Sequence, residues 1–478
     1  MELKKNNYFL HTIFLCGILT AVKVLSLYYI NINLWVDEAQ YWAWSKELAY
    51  GYYSKPPLIA WIIHFTTGQF GDNEFGIRAA SPIIHFITAI FIYGLAKHFY
   101  DRRTGLVAAL IYITLPAVTL SSGFISTDAP LLLFWAGALY FMVSATRNPS
   151  IMNWLGYAVF LGFGLLSKYT AGAFIIMSFV YIFTNRRGKE FFKLDFWIAN
   201  FFAFLIFLPN LIWNYDNHFV SFLHTSENVV TGGSSGGIKI GDMLEFTASQ
   251  LIVFGPALVF FIIALLRART LNIHKDTLLL FSLPLLFIGI IISLFSGAQA
   301  HWAAPAYVAA TVFTAGFLVS NNNNKALKII LITNIIIFVL CLNIRIPAGI
   351  ASIKKDPLHR VNMWYQPKDI INELLLKNPD ALIVSNERKI IAPLMFALRD
   401  SEGNPETIYK WNPGNQVKDH FDLTKTFTDT SERPVIFISR GDSTEMLSDI
   451  YFNVETIRSP DESFNFYLYL LKGRRDKN

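Results

Sequence analysis

Five short stretches of this 478-residue chain carry side chains able to do chemistry, and each lies beside a long apolar run. Asp37-Glu38 follows the first such run and is flanked by Trp35 and Trp42. A carboxylate there can take a proton or orient a hydroxyl, while two acids at a helix start also stabilise its dipole. In Ser54-Lys55-Pro56-Pro57-Leu58 a lysine precedes a rigid turn. An ammonium about 4 Å from a phosphate is worth roughly 4 kcal/mol at an effective dielectric near 20, which suits an anionic lipid phosphate; a lysine snorkelling to headgroups explains the same residue. Ser126-Thr127-Asp128-Ala129-Pro130 puts an acid at the start of an apolar run, where Asp128 is either functional or an N-cap with Pro130 in the first turn. Lys168 separates two very apolar segments, and a charge near hydrocarbon is costly unless paired or hydrated. Gln299-Ala300-His301-Trp302 adds an imidazole, a residue that is often structural.

The elements that must position these residues are membrane helices. The chain is 53% hydrophobic, with a mean hydropathy of +0.40 and only 15% charged residues, against roughly 25% in soluble domains. About 20 apolar residues cross the hydrocarbon layer as a helix. Eleven candidate spans follow: 8–30, 76–97, 105–121, 128–146, 152–167, 169–184, 196–214, 243–266, 276–296, 301–320 and 326–345. The pair around Lys168 reads either as a tight hairpin or as one broken element. The apolar stretch from Tyr8 is too long for a secretory signal and lacks a small-residue cleavage site. Cys16 and Cys341 both lie in apolar segments and read as small buried hydrophobes.

With the N-terminus in the cytoplasm, fifteen Lys and Arg fall in inner loops: Lys4, Lys5, Lys97, Arg102, Arg103, Arg147, Arg186, Arg187, Lys189, Lys193, Arg267, Arg269, Lys275, Lys325 and Lys328. Five fall outside before residue 346: Lys46, Lys55, Arg78, Lys168 and Lys239. This bias obeys the positive-inside rule, so the net charge of +6 records topology and not nucleic-acid binding. It also puts all five chemical stretches on the extracytoplasmic side. Arg78 and His85 lie on the second span and could pair with the acids, though nothing in the sequence fixes that geometry. The first outer loop, 31–75, is crowded with aromatic residues and contains two helix-like pieces, Glu38–Leu48 and Pro57–Thr67; it reads as lying along the membrane surface. Thr231-Gly-Gly-Ser-Ser-Gly-Gly-Ile-Lys239 lacks the spacing of a phosphate loop and reads as a flexible, lid-like segment.

Beyond about residue 350 charged and polar residues return to soluble frequency. Residues 1–348 are expected to form the membrane domain and 349–478 a small extracytoplasmic α/β domain. Its strands are expected at Ala381–Ser385, Pro434–Ser439 and Phe464–Leu471, and its helices at Asp369–Leu376 and Ile390–Leu398.

In order along the chain, Asp37-Glu38-Ala39-Gln40-Tyr41-Trp42, Lys55-Pro56-Pro57-Leu58, Thr127-Asp128-Ala129-Pro130 and Ser167-Lys168-Tyr169 resemble the bacterial polyprenyl-phosphate-sugar glycosyltransferases of the protein-mannosyltransferase type, which include the lipid A aminoarabinose transferases. Pro209-Asn210-Leu211-Ile212-Trp213-Asn214 and His301-Trp302 resemble one bacterial branch, and the likeness covers about residues 30–310. It implies the GT-C architecture, an undecaprenyl-phosphate sugar donor, an inverting transfer and a bacterial inner-membrane location with a periplasmic C-terminal domain. By the same resemblance Asp37 is the catalytic acid of the first outer loop and Asp128 the second acidic position. Lys55 and Lys168 hold the donor phosphate, and Glu38, Gln40, Tyr41, Trp42 and His301 are pocket residues. The acceptor is expected to be lipid A or another envelope glycan, with membrane lipids as the surroundings and no nucleic acid.

Two departures stand out. Gln40 occupies a position where aminoarabinose transferases commonly carry Arg, and Ser54 one where they can carry an acid. A metal site built on that acid is therefore not carried over, and neither a metal nor a cofactor is expected. Among alternatives, a protein O-mannosyltransferase shares the same motifs. A lipid-linked sugar flippase or transporter would place ionisable residues mid-helix on repeated, broken helices, and few occur here. A scaffold leaves the coincidence of five polar stretches on one side unexplained.

Overall fold

The computed structural model describes residues 7–29, 32–184, 194–230, 237–267, 273–342, 359–400, 407–428, 431–461 and 464–475. The chain divides into two compact units. One comprises Met1–Ile30 and Lys55–Arg345, the other Asn31–Ser54 and Ile346–Asn478.

The first unit is helical, and each of the eleven apolar stretches carries helix over its described residues. Tyr8–Tyr29, Glu74–Phe99, Asp128–Arg147, Leu194–Asp216, Asp276–Ser296 and Asn324–Leu342 are long and apolar enough to cross a membrane. Their outward faces bear exposed Phe14, Leu25, Phe201, Ile291 and Ile332, as expected of surface that meets lipid, where only internally satisfied backbone is tolerated. Ile151–Ser167, Tyr169–Thr184 and Ala306–Ser320 are shorter apolar helices. At 17 residues the first is about 25 Å long at 1.5 Å per residue.

Three expected spans differ in detail. The stretch 105–121 is two helices, Arg102–Thr114 and Pro116–Ser121, because Pro116 cannot donate the hydrogen bond that would continue the first. The stretch 243–266 is bent by 105° between Ile240–Phe254 and Ala257–Arg267. Gly255 takes a φ of +60° at that corner, open to glycine at little cost. The stretch expected from 301 begins as a helix only at Ala306, after Pro305. The doublet around Lys168 is two helices parted by an extended residue and a 3₁₀ turn.

Helices approach closely where glycine removes the side chain. A Cβ on Gly137 would lie 2.0 Å from the Phe160 ring, so the 128–147 and 151–167 helices touch only because Gly137 is bare. Gly162 admits Ile206 of the 194–216 helix in the same way.

The second unit is an α/β fold with a five-stranded mixed sheet in the order β2-β1-β3-β5-β4. Its strands are β1 Leu382–Ser385, β2 Ile408–Lys410, β3 Val435–Ser439, β4 Tyr451–Arg458 and β5 Tyr467–Arg474. β1 pairs in parallel with β2 and β3, while β5 runs antiparallel between β3 and β4. Of the three inner strands, β1 and β3 are buried along their whole length, the continuous apolar pattern that reveals a strand in sequence, and β5, expected at Phe464–Leu471, runs Tyr467–Arg474 and is buried over Leu468–Leu471. β2 and β4 are edges. β2 has three residues, and β4 carries Asn453 and Glu455 on its open face, so neither has an apolar run to betray it. The helices Lys368–Lys377 and Arg388–Ala397 lie close to expectation.

The loop residues 31–54 pack with this unit. The sequence division had grouped them with the membrane helices; their buried aromatics find their partners in C-terminal residues instead. The expected boundary at 348/349, the glycine-rich stretch 231–236 and the inner-loop residues Lys4, Lys5, Arg186, Arg187, Lys189, Lys193 and Arg269 lie outside the described residues.

Candidate functional site

In the helical unit the chemistry centres on Asp128. It is the first residue of the Asp128–Arg147 helix, and Thr127 holds the N-cap position without a side-chain hydrogen bond. The Asp128 carboxylate is therefore not spent on its own helix terminus. Lys168 Nζ donates to Asp128 Oδ1 at 2.7 Å, and the two side chains are only 12% and 17% exposed. His301 Nε2 lies 3.6 Å from Asp128 Oδ2. Lys55 is within electrostatic reach of the same carboxylate. Four residues spread over almost 250 positions thus converge, and three of them can carry positive charge.

The fold explains how each arrives. The 151–167 helix ends at Ser167, and Lys168 adopts an extended backbone (φ −161°, ψ 136°) before a 3₁₀ turn, Tyr169–Ala171. That turn is held by the Asn210 motif. Tyr169 Oη donates to Asn210 Oδ1 at 3.3 Å, and Asn214 Nδ2 donates to Tyr169 Oη at 3.2 Å. Both asparagines are fully buried, so their amides serve the turn and not solvent. His301 sits on a second 3₁₀ turn, Ala300–Ala303. Gln250 Nε2 donates to Ala300 O at 3.3 Å, and Tyr307 Oη donates to Gln250 Oε1 at 2.7 Å. Neither Gln250 nor Tyr307 stands out in sequence, because both fall within apolar runs. Lys55 precedes Pro57, which opens the Leu58–Phe70 helix as anticipated.

His85 takes another role. It is wholly buried, with Nδ1 3.0 Å from Tyr112 Oη and Nε2 3.0 Å from Ser121 Oγ, so hydroxyls and not acids are its hydrogen-bond partners. Arg78 is buried as well.

In the other unit the two adjacent acids separate. The helix Val36–Lys46 begins with both in its first turn. Glu38 is buried and its Oε2 accepts from the Trp35 backbone N–H at 3.0 Å, which satisfies the helix start. Asp37 faces outward, its side chain 66% exposed, and Arg388 Nη1 donates to its Oδ1 at 3.2 Å. The same Nη1 donates to Gln40 Oε1. Tyr41 and Trp42 are buried. Trp42 meets Phe396 edge-on at 5.1 Å and Tyr41 lies against Trp44 at 5.2 Å, so both rings pack within this unit.

Further along, Trp44 stacks on Tyr52 with centroids 4.6 Å apart and 4° between planes, and His420 meets both rings edge-on. Burial pushes the Tyr52 phenol up to about 12 and the His420 imidazole down to about 4, with Asp419 opposing the latter. His420 Nδ1 is buried without a hydrogen-bond partner among the described residues.

Among the described residues, no group of three or more His, Cys, Asp or Glu side chains is arranged to hold a metal ion. The Asp128 carboxylate is paired with one ammonium, has an imidazole 3.6 Å away and lies within electrostatic reach of a second ammonium.

Residues 54–213 match the family model described as dolichyl-phosphate-mannose-protein mannosyltransferase. The chain is 32% identical over 414 residues to lipid A galacturonosyltransferase RgtD of Rhizobium johnstonii, covering 82% of this chain and 85% of that one. It is 28% identical over 181 residues to the undecaprenyl phosphate-α-4-amino-4-deoxy-L-arabinose arabinosyl transferase of Pseudomonas aeruginosa, about a third of each chain. In fold it is similar to ArnT from Cupriavidus metallidurans, crystallised with undecaprenyl phosphate. The TM-score there is 0.71 at 13% identity, over 96% of this chain and 97% of that one.

Proposed function

Because this chain belongs to the family of membrane-embedded GT-C glycosyltransferases that contains RgtD and the undecaprenyl phosphate aminoarabinose transferases, we propose that it transfers one sugar from an undecaprenyl-phosphate carrier to lipid A. The observation that carries this reading is the Lys168–Asp128 pair with His301 3.6 Å from the same carboxylate, within electrostatic reach of Lys55. A lipid carrier presents its phosphodiester at the headgroup level, and lysines beside apolar helices meet it there.

The proposed reaction is an inverting transfer. The acceptor hydroxyl oxygen attacks the anomeric carbon on the face opposite the phosphate, so configuration inverts. The bond from the anomeric carbon to the phosphate oxygen breaks, and its electron pair stays on that oxygen as undecaprenyl phosphate leaves. The hydroxyl proton passes to Asp37, help that contributes roughly 10²–10⁴-fold. Lys55 and Lys168 stabilise the charge that develops on the leaving phosphate. Asp128 holds Lys168 in place, and His301 flanks that carboxylate.

The chain is a multi-pass membrane protein. We place it in the bacterial inner membrane with its N-terminus cytoplasmic, so that residues 37, 55, 128, 168 and 301 face the periplasm. Galacturonic acid, the sugar in RgtD's name, is the first donor to assay, and aminoarabinose the second.

The test is mass spectrometry of lipid A from cells with and without the chain. The expected result is one additional sugar residue on lipid A only where the chain is present. Identical lipid A spectra, with the protein present in the membrane, overturn the reading. Single-cysteine labelling that found positions 37 and 168 on opposite faces of the membrane would overturn the topology.

A further inference from the structure

Arg388 lies 351 residues from Asp37 in sequence, yet it is the residue that bonds the Asp37 carboxylate. No motif marks it; it is the first residue of an ordinary amphipathic helix, Arg388–Ala397. Its Nη1 bridges two acceptors, Asp37 Oδ1 and Gln40 Oε1, which stand three residues apart on one face of the 36–46 helix. A guanidinium presents its donors in a rigid planar fork, so an arginine that spans two acceptors fixes direction as well as charge.

The arginine is itself firmly held. Immediately before its helix, Asn386 O accepts from Lys410 Nζ at 2.9 Å, and the same ammonium donates to Asp419 Oδ2 at 2.6 Å in a pair that is over nine-tenths buried. At the second-last position of the Arg388 helix, Phe396 receives Trp42 edge-on. The loop helix is thus docked at its start through Arg388 and at its middle through Trp42. By contrast the Asp37–Arg388 pair is open to solvent, at 66% and 36% exposure. An exposed pair adds little to stability, so stability does not account for the arrangement.

We propose that Arg388 is the positioning residue for Asp37: it holds the carboxylate that receives the acceptor proton in one direction, and it makes the C-terminal fold a working part of the transferase. This rests on the role assigned to Asp37 above. Arg388 acts through Asp37 and through the Gln40 amide that shares its Nη1, and it does not hold the donor phosphate.

The test uses the full-length protein in proteoliposomes, with an undecaprenyl-phosphate sugar and purified lipid A. Asp37→Asn is measured first. If it transfers at the normal rate, the role of Asp37 falls, and this inference with it. If Asp37→Asn is inactive, Arg388→Ala decides the present question alone. The expected result is a kcat lower by roughly 10–100-fold, the scale set by misplacing a catalytic group, with donor KM within about 3-fold and an unchanged melting temperature. Arg388→Lys, which keeps the charge but loses the fork, is expected to recover part of kcat, and Lys389→Ala on the neighbouring exposed position to behave as the parent. A normal kcat in Arg388→Ala overturns the proposal. So does a loss expressed wholly in donor KM, which assigns Arg388 to the donor, or one that tracks a lowered melting temperature, which assigns it to folding.

Discussion

Two acid–base pairs of the same chemical type sit in the two units, and their surroundings differ. Asp128–Lys168 is 2.7 Å long and nearly enclosed by helices; Asp37–Arg388 is 3.2 Å long and mostly in solvent. Where water is scarce, an unpaired charge is costly, so Asp128 and Lys168 stabilise each other and persist as a unit. Where water is plentiful, the pair adds little to stability and the carboxylate stays open to a substrate group. On the proposed mechanism the two pairs divide the labour. The enclosed pair suits a standing anion site, and the open pair suits a carboxylate that must meet an incoming hydroxyl.

The strongest test of that division is catalytic. Asp37→Asn keeps size and most contacts but removes the carboxylate proposed to accept the proton. Transfer is expected to fall by roughly 10²–10⁴-fold with membrane insertion unchanged, read as initial rates on lipid A. A normal rate would erase the distinction between the two pairs.

A second test concerns the unit that carries Asp37. His420, against Trp44 and Tyr52, is held down to about 4 from an ordinary value of 6.5. Between those values the unfolded form binds the proton and the folded form does not, so stability is lost as pH falls from about 6.5 to about 4. The loss is at most about 3 kcal/mol. Asp422, pushed up mainly by burial and by Asp419, works in the opposite sense, since its folded form keeps a proton that the unfolded form gives up. The net expectation is a melting temperature that drops across this window, and a shallower drop in His420→Gln. An equal slope in that variant would remove His420 from the account.

The smallest effects sharpen the comparison directly. Double-mutant cycles on melting temperature, with Asp128→Asn and Lys168→Met, are expected to give a coupling of about 1–3 kcal/mol. The same cycle with Asp37→Asn and Arg388→Ala is expected to give below about 1 kcal/mol. Equal couplings would mean that enclosure does not separate the two sites.

Much of the helical unit was legible because lipid imposes a simple rule. A spanning helix needs a long apolar run, and every such run proved helical. Asp37, Lys55, Asp128 and Lys168 were visible because a charge beside hydrocarbon stands out. Finer features were not. Whether Asp128 would cap its helix or meet Lys168 depends on the Lys168 turn, and that turn depends on Asn210 and Asn214 more than 40 residues away. Likewise nothing local tells Asp37 from Glu38; only the folded helix start turns one inward to Trp35 and leaves the other for Arg388.

The sequence by itself determined the apolar helices, the inner strands β1, β3 and β5, and the residue types able to carry charge, since each follows from periodicity and local polarity. Tertiary structure alone decided that residues 31–54 pack with the C-terminal fold, that β2 and β4 complete its sheet, and that Arg388 answers Asp37. The physical reason is range. Burial patterns repeat every two to four residues and can be read along a chain, whereas an ion pair between positions 351 apart exists only once packing has brought both ends to one place.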